Sequence, residues 1–252
     1  MGILGILFAL LRSLFTVLLL GLIGFAVASK AEEPLASAAV PQLSGTVVLD
    51  GKLDDAVWQE ARQLTPLVIN GNGSAPREQT KVWLFHDGKA LYLAWEVTDQ
   101  DIQATFTARD SRFWEEEVVE FFLAPEKLDT YFELQWNPLG GVFDAIIHNT
   151  LDAQGKSRGI EGDWEFTAKG MRSKVSVEGT VSDASDRDRR WTVEAVIPFA
   201  DLGNLKPVAG TLWRANFYRF NRGKNGFLEK QSWCPTLDPS FHQPSRFGVL
   251  KF

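Results

Sequence analysis

The chain has 252 residues, of which 45% are hydrophobic, and it carries nine Trp and eighteen Phe. So much apolar and aromatic surface excludes a solvated, disordered polymer. The formal net charge of −6 argues against a partner bound through its phosphates, so no nucleic acid is expected, and the single cysteine, Cys234, excludes a disulfide framework.

Arg12 is the only charged residue among the first 28. Residues 13–28, SLFTVLLLGLIGFAVA, are apolar and end in Ala26-Val27-Ala28, a small-x-small pattern typical of a signal peptide. The stretch before them, GILGILFALL, is apolar too, so residues 2–28 are also long enough to stay uncleaved as a membrane anchor. With Arg12 on the cytoplasmic side, the chain from Lys30 onward is expected to be exported: periplasmic, extracellular, or membrane-anchored and facing outward. Residues 29–44 read as an Ala/Pro linker, and 45–252 as one domain large enough to close its own core.

Within that domain, apolar-polar alternation and β-branched or aromatic residues predict strands over 45–49, 81–86, 91–98, 118–124, 131–136, 143–148, 164–169, 174–181, 191–198, 211–221 and 247–252. His86-Asp87-Gly88-Lys89 and Asn137-Pro138-Leu139-Gly140-Gly141 are turn signals between such runs. Helical spacing is confined to 54–63, with one further turn at 199–202, and the polar run 182–190 reads as a solvated loop. Many short strands without helical crossovers imply antiparallel pairing in an all-β, two-sheet β-sandwich.

The densest acidic run is Trp114-Glu115-Glu116-Glu117-Val118-Val119-Glu120. On an extended strand Glu115 and Glu117 share one face about 7 Å apart, a spacing that suits the carboxylates of a glycoside hydrolase. Neighbours on one strand project side by side, however, whereas catalysis needs carboxylates that flank a bond. Hard oxygen ligands of this kind also suit a structural calcium. His86, His148 and His242 show no metal-ligand spacing, and the chain has no G-x-S-x-G, P-loop or G-x-G-x-x-G motif. The aromatic residues offer a different chemistry, because an indole face stacks on the C–H face of a pyranose while amides, carboxylates and guanidinium groups take its hydroxyls. Trp83, Trp95, Trp136, Trp191 and Trp213 lie inside strand patterns and are expected in the core; Trp114, Trp164 and Trp233 lie at segment edges, where exposure is expected.

Seven segments in order resemble the family 9 carbohydrate-binding modules. They are Asp50-Gly51-Lys52-Leu53-Asp54-Asp55-Ala56-Val57-Trp58; Leu91-Tyr92-Leu93-Ala94-Trp95-Glu96-Val97 with Asp99 and Asp101; Phe113-Trp114-Glu115-Glu116-Glu117-Val118-Val119-Glu120-Phe121-Phe122; Tyr131-Phe132-Glu133-Leu134; Trp191-Thr192-Val193-Glu194-Ala195-Val196-Ile197-Pro198; Trp213-Arg214-Ala215-Asn216-Phe217-Tyr218-Arg219; and Phe241-His242-Gln243-Pro244-Ser245-Arg246-Phe247-Gly248. The resemblance implies a DOMON-like β-sandwich that binds an oligosaccharide or polysaccharide between two aromatic rings and serves polysaccharide catabolism without catalysis of its own, with a structural calcium in some members. Carried onto this chain, Trp114 matches one ring and Phe241 the place of the second, usually Trp; Glu117, Asn216, Arg219 and Gln243 match hydroxyl contacts, with Glu117 where the pattern has Asp. Two alternatives stand beside this reading: a glycoside hydrolase, or a module acting with one, that uses the clustered carboxylates, and a haem-binding redox sandwich drawing on Met171 and the three histidines.

Overall fold

A computed structural model describes residues 34–183 and 185–252. The leader read in 1–28 and the start of the expected linker lie outside the described residues. In chain order the strands are β1 (Ser37–Ala39), β2 (Arg62–Gln63), β3 (Val68–Ile69), β4 (Thr80–His86), β5 (Ala90–Thr98), β6 (Val118–Lys127), β7 (Thr130–Trp136), β8 (Val142–Leu151), β9 (Ser157–Asp163), β10 (Arg172–Glu178), β11 (Arg190–Pro198), β12 (Leu212–Arg222), β13 (Leu228–Ser232) and β14 (Gly248–Lys251). They form a nine-stranded sheet, β1-β14-β12-β6-β7-β8-β9 with β13 and β3 attached beside β12, and a five-stranded sheet, β10-β11-β5-β4-β2. All pairs are antiparallel except β1 with β14.

Period-two alternation decides which side chains meet between the sheets. On β6, Val119, Phe121 and Leu123 point into the inter-sheet core, where they join Trp95, Trp136, Trp191, Trp213 and Phe217. Their neighbours Val118, Phe122 and Ala124 point the other way and join Tyr131, Phe143, Tyr218, Phe241 and Phe247 in a second apolar layer. The large sheet is therefore buried on both faces, and a fully buried Phe or Leu contributes roughly 1.5–3 kcal/mol. That outer layer, rather than the core, carries the candidate site.

Several expectations change. Part of the segment read as linker belongs to the fold, because β1 pairs with the last strand through Ser37↔Val249 and Ala39↔Lys251. The helical spacing of 54–63 yields only a 3-10 turn, Ala56–Gln59: the Asp55 carboxylate accepts from Val48 N (2.8 Å) instead of capping the turn, and Arg62–Gln63 is claimed by β4. Residues 45–49 and 164–169 are not strands. The strand lies just before the second of these, at β9, and β13 (LEKQS) escapes the pattern because it is short and mostly polar. Trp233, expected at an exposed edge, is buried in the core with Nε1 donating to Thr65 Oγ1 (3.0 Å), whereas Trp83 is only half-buried on the outer face of the small sheet. In the polar run 182–190, Asp188 is buried and accepts from the backbone of Ile102 (2.8 Å) and Thr180 (2.7 Å).

The first resembling segment has a structural job. Glu194 on β11 accepts from Trp58 Nε1 (2.8 Å), Gly51 N (2.9 Å) and Asp50 N (3.1 Å), pinning the loop across the small sheet. Gly51 sits at φ +83°, and a Cβ there would stand 2.7 Å from Ser176 N, so only glycine fits.

Candidate functional site

A groove of about 300 Å³ opens on the outer face of the large sheet. Strand register builds its floor. Tyr218, Glu120 and Gln135 lie opposite one another on β12, β6 and β7, and Glu133 lies in the next row, across from Phe122. All share the outward face, so β6 and β7 bring Glu120, Glu133 and Gln135 into one polar patch inside an apolar layer. Phe220 of β12, Lys230 of β13 and Ile160 of β9 border it, and Trp114, Trp164 and the loop from Pro239 to His242 form the walls.

The ring geometry differs from a simple pair of facing rings. Phe241 is only 4% exposed and lies flat on Tyr218 (centroids 4.1 Å, 15° between planes), with Phe220 at 4.8 Å. Trp114 meets Phe143 edge-on at 5.6 Å, and Phe143 in turn lies 6.1 Å from Trp164. Trp164 is 54% exposed at the lip of the groove. Its ring lies over the β9 backbone at Gly162, where a Cβ would come within 2.2 Å of it. A glycine here is thus what lets the indole lie back across the strand and present its open face.

Electrostatics separate floor from wall. Glu120 and Glu133 are 2% and 5% exposed. Burial, reinforced by the neighbouring carboxyl of Glu133 and opposed by Lys230, pushes the Glu120 carboxyl well above the ordinary range. Burial pushes Glu133 up to about 7 against the pull of Gln135 Nε2, which donates to it at 2.6 Å. Close carboxyls held out of water resist ionising together. Lys230 Nζ donates to Pro239 O (2.7 Å) and lies 5.2 Å from the Phe220 ring and 5.7 Å from that of Phe241. Burial brings His242 down to about 4, so the imidazole is neutral, with Nδ1 at 2.8 Å from the Tyr131 hydroxyl.

Of the six residues the sequence pointed to, the structure brings Trp114 and Phe241 to the groove. The other four do not line it. Gln243 is buried behind the wall, its Oε1 accepting from Ser157 N (3.1 Å) and so tying the wall loop to β9. Asn216 is buried beneath Tyr218, donating to the tyrosine hydroxyl (2.8 Å) and to Cys234 O (2.7 Å). Arg219 points to the opposite face of β12, where it donates to Thr98 O (2.9 Å), Asp99 (2.8 Å) and Glu117 (3.3 Å) with no solvent access. Glu117 also accepts from Arg222 N. Alternation is the reason for two of them: one residue from Tyr218 to Arg219 crosses the sheet, so Arg219 and its partner Glu117 point away from the groove, while Asn216, on the groove's side, is covered by Tyr218.

The carboxylate pair considered for hydrolysis is separated as well. Residues Phe113–Glu115 form a 3-10 turn, not a strand, which leaves Glu115 exposed beside Arg112 (3.0 Å) while Glu117 turns inward. The groove's own carboxyls, Glu120 and Glu133, were not singled out from the sequence, nor were Gln135 and Lys230. The available signal was polar residues at alternate positions of apolar strands, VVEFF and YFELQW. Among the described residues no group of three or more His, Cys, Asp or Glu side chains is arranged to hold a metal ion. Met171 packs against the inter-sheet core whereas His242 lines the outer groove, on opposite faces of the large sheet.

A two-sheet β-sandwich bearing an aromatic-walled groove with a polar floor is the architecture of a module that holds a small polar ligand against flat rings. The chain belongs to carbohydrate-binding family 9, whose profile matches residues 53–252. Among solved structures it is similar to a candidate carbohydrate-binding protein of Bacteroides uniformis (TM-score 0.66, 21% identity, covering 87% of this chain and 100% of that one). It is also similar to a family 9 carbohydrate-binding module of Caldicellulosiruptor kristjanssonii in complex with cellotriose (TM-score 0.58, 19% identity, 85% and 92% covered). The glucose complex of a family 9 module from the same organism matches with TM-score 0.55 and 18% identity, over 85% of this chain and 94% of that one. No curated protein matches the chain.

Proposed function

We propose that this chain binds a carbohydrate in the outer-face groove, with a pyranose stacked against the Trp114 and Trp164 walls and its hydroxyls turned toward Glu120, Glu133 and Gln135. The observation that carries the reading is the groove itself: flat apolar walls around a buried polar floor, in a chain of family 9. The cellotriose and glucose held by the similar modules of Caldicellulosiruptor kristjanssonii support a hexose-based ligand. Glu120 and Glu133 project side by side from neighbouring strands rather than from opposite sides of a ligand. That arrangement favours binding over glycosidic hydrolysis, which needs carboxyls on both sides of the bond. The apolar leader, residues 1–28, supports action outside the cytoplasm on glycans met there, in keeping with a part in polysaccharide catabolism.

Isothermal titration with neutral and charged oligosaccharides tests the reading. Binding that weakens at least tenfold in Trp164→Ala and Trp114→Ala, with thermal unfolding little changed, is the expected result. The absence of heat with every sugar of a broad panel overturns it, and release of reducing ends that stops in Glu120→Gln would replace it with hydrolysis.

A further inference from the structure

The floor of the groove offers a ligand an unpartnered amide oxygen and two carboxyls. Gln135 is fully buried and uses its amide N–H on Glu133 (2.6 Å), which leaves Oε1 without a partner. Neither Glu120 nor Glu133 forms an ion pair with a described residue, and no described residue donates a hydrogen bond to Glu120. The charged groups around this floor make their hydrogen bonds elsewhere. Lys230, from β13, is held by Pro239 O and by two ring faces, although its charge still reaches Glu120. Arg222, at the end of β12, donates to Trp114 O (3.0 Å) and lies 5.7 Å from the Phe220 ring. Asp238, next to the wall, is paired with Lys156 (3.4 Å), and His242 is neutral.

A carboxylate so largely withdrawn from water is costly, and in the free protein a retained proton relieves that cost. A ligand that brings both N–H donors and positive charge relieves it better, because charge-assisted hydrogen bonds are about twice as strong as neutral ones. We propose that the groove selects amino sugars, with the ammonium group of the pyranose seated over Glu120 and Glu133 and Gln135 Oε1 accepting a further N–H or O–H from the ligand. This rests on the carbohydrate-binding reading and narrows it to a substrate class. Seating the cation displaces the proton held by the carboxyl pair into solvent, so binding releases a proton. Acidic sugars meet the opposite situation, since a carboxylate gains nothing from displacing the proton of the pair and is repelled wherever the pair ionises.

Titration of the protein at pH 7 with β-1,4-linked trimers of glucosamine, N-acetylglucosamine and glucose, and with an oligouronate, separates the possibilities. The expected order is glucosamine about tenfold tighter than glucose, from a charge-assisted gain of about 1.4 kcal/mol, with the N-acetyl trimer losing that advantage and the uronate weakest. The heat for the glucosamine trimer should change with the ionisation enthalpy of the buffer, and the heat for the glucose trimer should not. Glu120→Gln and, independently, Glu133→Gln should bring glucosamine to the affinity of glucose. A glucosamine trimer that binds no tighter than glucose, or a uronate that binds best, overturns the selectivity and leaves carbohydrate binding standing. If none of the sugars binds, the underlying reading falls with it.

Discussion

Replacing Arg219 by Met keeps the length of the side chain and removes its charge from a site with no solvent access. In the native protein the guanidinium satisfies Asp99 at 2.8 Å, Glu117 at 3.3 Å and the carbonyl of Thr98 at 2.9 Å. Without it, two buried carboxyls are left facing each other, and the loss of one partner from a buried ion pair costs about 3–5 kcal/mol. For a domain of this size each kcal/mol shifts Tm by roughly 2–4 °C, so Arg219→Met should unfold about 6–20 °C below wild type at neutral pH. The pH dependence has a definite sign. Burial already raises the carboxyls of Asp99 and Glu117 above their ordinary values, and loss of the nearby cation raises them further. An acid whose folded value lies above its unfolded value favours the folded state when protonated, and that stabilisation is lost as pH rises through the folded value. The gap between variant and wild type should therefore be narrow near pH 4 and widen toward neutrality. Differential scanning fluorimetry across that range, paired with sugar titration of the folded variant, decides the matter. A Tm within about 2 °C of wild type combined with lost sugar binding would show that Arg219 serves the ligand and not the scaffold, refuting the placement.

Gly162→Ala should push the Trp164 ring off β9, since the new Cβ would stand 2.2 Å from it; we expect sugar affinity to fall about tenfold, by about 1.4 kcal/mol, with a change in tryptophan emission and a nearly unchanged Tm. For Glu133, raised to about 7 by burial, the proton-linked stabilisation is complete below the ordinary value of 4.5 and is lost as pH rises toward 7. Glu133→Gln should gain Tm relative to wild type between pH 5 and pH 8, and parallel melting curves at the two pH values would count against the buried-carboxyl description. Trp58→Phe removes one of three donors from Glu194 and should cost about 1–3 kcal/mol in denaturant unfolding while leaving sugar titration curves unchanged.

What could be read in the chain follows from what is local. Strands β4, β5, β6, β7, β11 and β12 were legible because alternation there runs through long apolar residues, and the Asp87-Gly88 turn announced the hairpin between β4 and β5, with Gly88 at φ 86°. β13 and β9 were not, because one is short and polar and the other is mostly exposed, so only pairing with their neighbours makes them strands. Trp114 and Trp164 were identified as edge tryptophans, and both line the groove; Trp233 stood in the same kind of position and is buried.

The all-β class, the ordered segments of family 9 and the aromatic supply for a binding surface can be read along the chain, because all of them depend on period-two patterning and on residues close in the chain. Tertiary structure alone decided the site. Whether Glu117 and Arg219 or Glu120 and Glu133 face a ligand depends on which side of a strand each occupies and on what the opposite sheet already covers. A single-residue step changes that side, so the same acidic run supplies a buried ion pair through Glu117 and the floor of a groove through Glu120.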